Sequence, residues 1–373
     1  MPHNESMTPI TPKPSTALPL AGLTILDLTR LLPGPVATMH LADMGATVIK
    51  IEDKGSGDYA RTMSHVKNEL SQLFIAVNRG KQLLRLDLKD AVDRERVLEM
   101  AATADAVVES FRPGVMDRLG IGWETLKVRN PKLVMCAITG YGQQGPLSTM
   151  AGHDLNFIAY SGMLAQNADD SGRPVIPNLQ VGDLLGGALT AVQGLLAALL
   201  AVKMGGPGRF IDVAMTDAVF AHHIMPLLAV NCDGQSPLPA RDLLTGGVPC
   251  YAVYRCADGR YMAVAALELK FWEICCDLLQ RPDLKTRHWS LGQVVGGDEA
   301  IAIKVELEKI FSGRTQSEWT ALFETADCCV TPVLSTEEAL VHPHFSDRGK
   351  VVRLRHPTEG ECAFPAPTVR FAN

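Results

Sequence analysis

From Leu23 onward, short apolar runs alternate with amphipathic stretches. Leu23-Thr24-Ile25-Leu26-Asp27-Leu28 predicts a buried strand, Leu32-Pro33-Gly34-Pro35 a turn, and the spacing over Val36 to Met44 a helix. Thr47-Val48-Ile49-Lys50-Ile51-Glu52 predicts a second strand. The opening is therefore a βαβ unit, for which a right-handed crossover is expected. The rhythm recurs with a charged amphipathic helix over Asp90 to Ala104 and strands at Ala106 to Glu109, Leu133 to Thr139 and Arg209 to Ala214. Strands alternating with helices predict an α/β fold, a doubly wound, Rossmann-like parallel sheet.

The texture changes after about residue 220. Asn231 to Leu244 is polar and rich in Gly and Pro, and reads as a linker. Val248 to Val264 reads as short antiparallel strands turning at Ala257-Asp258-Gly259. Helices are predicted over Leu269 to Gln280, Ala300 to Phe311 and Ser317 to Thr325, and a last strand over Val330 to Leu334. This part is expected to be a smaller α+β domain. The tail returns to short strand-like and Pro-rich pieces.

Composition narrows the class. The 373 residues are 47% apolar and 20% charged, which fits a packed globular chain with a sizeable core. The net charge of −6 gives no electrostatic footprint for nucleic acid. Nine cysteines without a Cys-x-x-Cys form neither a zinc signature nor a disulfide framework. No metal is expected, and reduced thiols suit a cytoplasmic location. Residues 1–17 are rich in Pro, Ser and Thr, lack an apolar segment, and are expected to be a disordered leader rather than a signal peptide. Leu184 to Val202 is apolar but interrupted by Gly186, Gly187, Gln193 and Gly194. It is expected to be a buried core helix and not a membrane span.

The candidate chemistry gathers between Ala151 and Gly187. His153 and Asp183 each follow a glycine and each precede an apolar run that reads as a helix. A helix start offers unpaired N–H groups and the positive end of the dipole, a setting that steadies developing negative charge. The two side chains can be read as an acid/base pair, although an Asp before an apolar run also fits a simple N-cap. Gly140-Tyr141-Gly142-Gln143-Gln144-Gly145 satisfies G-x-G-x-x-G after a strand, but Pro146 follows and no helix begins. It reads as a glycine-rich active-site loop rather than a dinucleotide site. Basic residues gather at Arg79, Lys81, Arg85 and Lys89, and again at Arg112 and Arg118 beside Ser110-Phe111-Arg112-Pro113-Gly114, after a strand's carboxyl end. Such positions suit phosphate groups. No Gly-x-Ser-x-Gly elbow is present.

Several stretches together resemble the family III CoA-transferases, and within them the α-methylacyl-CoA racemase branch. They are Arg30 to Pro35, Ala42 to Ala46, Val48 to Glu52, Asn78-Arg79-Gly80-Lys81, Leu86 to Lys89, Ser110 to Gly114, Thr139 to Gln143 with Gly145-Pro146, Ala151-Gly152-His153-Asp154, Val181-Gly182-Asp183 and Asp212 to Met215. The resemblance runs over nearly the whole chain from about residue 18. It implies an interlocked homodimer in which both chain ends share a large CoA-binding domain (18–225 and 336–373). A linker (226–245) then leads to a small domain (246–335). It implies an acyl-CoA thioester as substrate, with coenzyme A as part of that substrate, no tightly bound cofactor, and no membrane or nucleic-acid partner. Arg79, Lys89, Ser110, Phe111, Arg112, Arg118 and Gly152 are the expected CoA contacts.

The resemblance also assigns roles. Racemases of this branch pair a histidine at the position of His153 with an aspartate at the position of Asp183, and Asp154 and Glu268 are expected to orient or polarise. The match around Ala265-Ala266-Leu267-Glu268-Leu269 is looser, since Leu269 stands where a proline is common. Inversion of a carbon α to a thioester needs one base and one acid on opposite faces, and two different groups suit that. In the transferases the same aspartate is instead a nucleophile that forms acyl and CoA intermediates, and that histidine is generally missing.

Overall fold

The structure is a computed structural model that describes residues 18–169 and 171–371; the expected leader, residues 1–17, lies outside them. The chain divides into two compact units. One holds residues 18–163, 177–223 and 343–371, and the other 164–176 and 224–342.

The first unit is built on six parallel strands: β1 (Thr24–Leu28), β2 (Thr47–Glu52), β3 (Gln82–Arg85), β4 (Ala106–Glu109), β5 (Val134–Thr139) and β6 (Arg209–Ala214). Their order is β3-β2-β1-β4-β5-β6, with Ile25 opposite both Val48 and Ala106. β4 and β5 are buried along their whole length, as unbroken apolar runs of a parallel sheet should be. One face packs Ile25, Val48, Val108 and Ile138 against the helices Pro33–Asp43 and Thr190–Lys203. The other packs Leu26, Leu28, Val107 and Met135 against Ala91–Ala101 and Trp123–Arg129. The sheet grows from β1 toward β3 on one side and from β4 toward β6 on the other. The carboxyl ends of β1 and β4 therefore flank a switch point, where open α/β sheets bind ligands.

From Pro343 the chain belongs to this unit again. An antiparallel hairpin, β10 (Val351–His356) and β11 (Gly360–Pro365), packs Leu354, Cys362 and Phe364 on Ile75. In the turn of that hairpin Glu359 accepts the backbone N–H groups of Asn68, Glu69 and Leu70. These bonds hold its carboxyl down to about 2.

The second unit has an antiparallel sheet of β7 (Tyr251–Arg255), β8 (Tyr261–Ala265) and β9 (Val330–Pro332). Tyr254, Trp272, Phe311, Trp319 and Phe323 fill its core, with Tyr254 and Phe311 stacked at 4.9 Å.

Three expectations are amended. Residues 226–245 are not simply a linker, because a helix spans Ile224–Asp233 and this stretch belongs to the second unit. Pro226 looks like a breaker but stands in the helix's first turn, where proline is tolerated. Residues 164–176, expected in the large domain, also belong to the second unit. The apolar stretch expected as a buried core helix is long and apolar enough to cross a membrane, yet fewer than half of its residues are buried. Ala191, Leu195, Ala198 and Leu199 face the core, while Leu189 and Leu200 are 47% and 61% exposed.

Candidate functional site

Two adjoining cavities lie along the carboxyl ends of the strands of the first unit. The first, about 460 Å³, is bounded by Arg30 after β1, Ile51 to Gly55 at the end of β2, Leu86 to Lys89 after β3, and Phe111, Val115 and Leu119 after β4. Ile51, Leu86, Leu88, Phe111, Val115 and Leu119 give it apolar surface, and it is bordered by the basic Arg30, Lys54 and Lys89 together with the acidic Glu52, Asp53 and Asp87. The second, about 510 Å³, runs from Arg30 and Leu31 past Ser110 to Pro113. It continues over Thr139, Gly140 and Tyr141 to Gly152, His153, Asp183 and Met215.

Arg30 and Phe111 belong to both cavities. The guanidinium of Arg30 lies 5.5 Å from the ring centre of Tyr59 and 5.6 Å from that of Phe111, and 3.4 Å from the carboxylate of Asp53. The Arg30 N–H donates to Ser110 Oγ at 3.2 Å, which ties the loop after β1 to the loop after β4. That second loop is fixed from below. Buried Glu109, the last residue of β4, accepts the Phe111 N–H at 2.6 Å. Burial pushes the Glu109 carboxyl up to about 8, the nearby Asp117 and Asp212 carboxylates adding to the shift and the Phe111 bond opposing it.

His153 caps the helix Asp154–Tyr160, its N–H bonded to Asn156 Oδ1 at 3.1 Å and its side chain exposed. The residue before it must be small. A Cβ on Gly152 would lie 2.7 Å from Tyr141 Oη and 2.8 Å from the Phe157 ring. Asp183 stands in the first turn of a π-helix, Gly182–Leu189, which continues into Thr190–Lys203. Wide π turns recur at functional sites. The Gly186-Gly187 pair seats it, since a Cβ there would strike the Met215 carbonyl or Pro33. Asp154 Oδ1 accepts the Asp183 N–H at 2.9 Å. Burial, assisted by the charge of Asp154, pushes the Asp183 carboxyl up to about 7. A carboxyl there can give or take a proton at neutral pH.

Of the residues expected from sequence, Ser110, Phe111, Arg112, Gly152, His153 and Asp183 all line the second cavity, and Lys89 lines the first. Asp154 stands behind Asp183. Arg79 is elsewhere: it is buried, donating to Asp43 Oδ2 at 2.7 Å and to the Ala76 carbonyl at 2.9 Å, and it ties the helix Pro33–Asp43 to Gln72–Asn78. The exposed side chain of Arg118 lines neither cavity. Glu268 belongs to the second unit, where it is exposed and precedes the helix Leu269–Leu278. Among the described residues, no group of three or more His, Cys, Asp or Glu is clustered to hold a metal ion.

Arg30, Tyr59 and Glu109 were not anticipated as site residues, and Tyr141 only as part of the glycine-rich loop. Arg30 could have been found, as the second residue past the first strand of a parallel sheet. Glu109 carries a signal too, a carboxylate closing an apolar strand. Tyr59 has none in the sequence.

The model of CoA-transferase family III matches residues 20–373. Alpha-methylacyl-CoA racemase of Homo sapiens is 33% identical over 356 residues, 95% of this chain and 87% of the relative. Succinyl-CoA:glutarate CoA-transferase of Homo sapiens is 34% identical over 363 residues, 95% and 80%. Among solved structures, a CAIB/BAIF family protein from Brucella suis aligns over 96% of this chain and 94% of its own, at 26% identity and a TM-score of 0.81.

Proposed function

The chain belongs to CoA-transferase family III, and from that premise we propose that it inverts the α-carbon of 2-methylacyl-CoA thioesters by two-base proton transfer. One observation carries the reading: His153 and Asp183, two proton-handling groups of different type, line one cavity, and the carboxyl of Asp183 is poised at about 7. His153 takes the α-proton of one epimer, the thioester becomes an enolate, and protonated Asp183 returns a proton to the opposite face. The reverse direction exchanges the roles. The π-helix N-terminus that carries Asp183 favours the negative charge of the enolate.

The grooves suit the rest of the substrate. Lys54, Lys89 and Arg30 on the rim of the first cavity can meet phosphates, and its apolar walls can take a base. The pantetheine arm would pass the Arg30–Phe111 junction and bring the thioester to the second cavity. Arg112 on the same wall adds positive charge. Glu268 is assigned an orienting role by resemblance alone.

A second reading is favoured by the 34% identity to a CoA-transferase. Asp183 then attacks the thioester carbonyl and CoA leaves. CoA thiolate next attacks the aspartyl carbonyl of the resulting anhydride, which frees the first acid and leaves CoA on Asp183 as a thioester. A second carboxylate displaces CoA to form a new anhydride, and the thiolate attacks its acyl carbonyl to give the new acyl-CoA and free Asp183. A single epimer of a 2-methylacyl-CoA in deuterated buffer separates the two. Epimerisation with deuterium entering the α-position supports proton transfer. Transfer of CoA to an added carboxylic acid without α-exchange makes Asp183 a nucleophile.

We further propose a homodimer. The helix Ile224–Asp233 has no buried residue although Ile224, Met225, Leu227, Leu228 and Val230 are all apolar, and a second copy is the cover that the family resemblance implies.

A further inference from the structure

The turn after β1 carries a strained residue on the wall of the second cavity. Leu31 has φ of +66°, in the left-handed region that favours glycine. Its backbone is held there by two buried charges. Leu31 N–H donates to Asp58 Oδ1 at 3.0 Å, the Thr29 carbonyl accepts from Lys50 Nζ at 2.8 Å, and Lys50 Nζ meets Asp58 Oδ2 at 2.9 Å. Both charged side chains are fully buried. Asp58 is itself fixed: its N–H donates to Glu52 Oε1, and Glu52 receives a two-point contact from Arg61. The other end of the turn is pinned by Asp27, which accepts the N–H and hydroxyl of Thr29 and pairs with buried Lys81.

A buried ion pair adds little net stability against a neutral pair of similar shape, because both charges lose their water. This pair nevertheless gathers the polar groups of one short turn. We propose that the Lys50–Asp58 pair is a positioning device that forces Leu31 into its left-handed conformation and so sets the cavity wall at Arg30 and Leu31. Lys50 and Asp58 touch no substrate; they act through the backbone of Thr29 to Leu31. The effect on turnover rests on the acyl-CoA reading above, whereas the grip on the turn does not.

The test removes both charges together, since either one alone would leave an unpaired buried ion. In Lys50→Met/Asp58→Asn the neutral amide oxygen can still accept from Leu31 and Ala60, more weakly than the carboxylate, so the fold is kept while the hold on Leu31 loosens. Amide hydrogen exchange at Leu31, read without substrate, should quicken by about tenfold or more as the grip loosens. The kcat/KM for acyl-CoA should fall by about tenfold or more while the melting temperature is kept. Glycine at 31 adopts a positive φ without strain. Leu31→Gly and Leu31→Ala should therefore agree within about twofold in the otherwise native chain, while in the double variant glycine should exceed alanine by about fivefold or more. Unchanged exchange at Leu31 overturns the proposal. So does full activity in a loosened double variant, or equal rates for glycine and alanine there. A native chain inactive on every acyl-CoA would refute the functional reading instead, and the exchange rates would still decide the clamp.

Discussion

The carboxylate of Asp154 accepts the backbone N–H of Asp183 at 2.9 Å, so one acid of the site fixes the position of the other and also pushes its pKa upward. Gly182 makes the approach possible, because a Cβ there would lie 3.0 Å from Asp154 Oδ1. Asp154→Asn keeps an oxygen acceptor in place and removes the charge. The expected result is a lower pKa for Asp183, so the pH–rate midpoint assigned to it moves to lower pH. A profile of kcat/KM against pH checks this, and an unmoved midpoint would mean that burial alone sets the shift.

His153 and Asp183 should respond differently to truncation. His153→Ala leaves the walls of both cavities otherwise intact, so CoA should still bind while α-carbon inversion falls by about 10²- to 10⁴-fold. If instead the transferase reading holds, CoA transfer should survive His153→Ala and vanish in Asp183→Ala. Calorimetric binding of CoA alongside both assays separates lost chemistry from lost binding.

Asp183 should also limit stability. Burial and the Asp154 charge raise its folded pKa to about 7 from the ordinary aspartate value of 3.8, so between these pH values the folded chain holds a proton that the unfolded chain has released. Stability contributed by this site therefore declines as pH rises through that window, and the whole penalty is present above pH 7. Asp183→Asn removes the penalty. The group is not fully enclosed, so after allowance for solvent screening the gain at pH 8 should be about 1–3 kcal/mol. It should vanish toward pH 4. Thermal unfolding of both proteins at the two pH values tests the sign, and a variant less stable at pH 8 would contradict it.

The outline of the fold was legible because parallel strands buried on both faces must be largely apolar runs, as in Val134 to Ile138. The place of His153 and Asp183 on one cavity was legible because each follows a glycine that the structure needs for close approach. Arg79 was misjudged for a physical reason. A basic residue in a motif looks available for phosphate, and only the folded chain brings Asp43 from another helix within 2.7 Å of it. Tyr59 and Arg30 escaped notice because their stacking joins two loops that only the sheet brings together. The helix at Ile224–Asp233 was hidden by Pro226, whose place in a first turn cannot be told from a break without the helix start being known.

Gly152 should be intolerant for steric reasons. A methyl group there meets Tyr141 Oη and the Phe157 ring inside 3 Å, and both rings are packed edge to face at 5.3 Å, so neither yields freely. Gly152→Ala should destabilise the first unit by about 1–3 kcal/mol. It should also displace His153, the next residue, and lower kcat more than it raises KM. A variant with native melting temperature and native kcat would show that the loop yields more readily than its packing implies.

Arg30 stands at the junction of the two cavities, and its charge should serve binding more than chemistry. Its guanidinium lies between two aromatic rings and, among the described residues, pairs with the carboxylate of Asp53 at 3.4 Å, while lining both cavities where an anionic ligand could reach it. Arg30→Met keeps an apolar stem between Tyr59 and Phe111 while deleting the charge. A contact made equally in ground and transition states changes KM and leaves kcat alone. KM for acyl-CoA should therefore rise about tenfold with kcat changed less than about threefold, and the salt dependence of KM should weaken. The residue's own backbone sharpens the test. Its N–H holds Ser110, and through it the loop that carries Phe111 and Arg112. A substitution confined to the side chain leaves that bond in place. A fall in kcat with KM unchanged would then place the guanidinium at the reacting thioester and not at the phosphates.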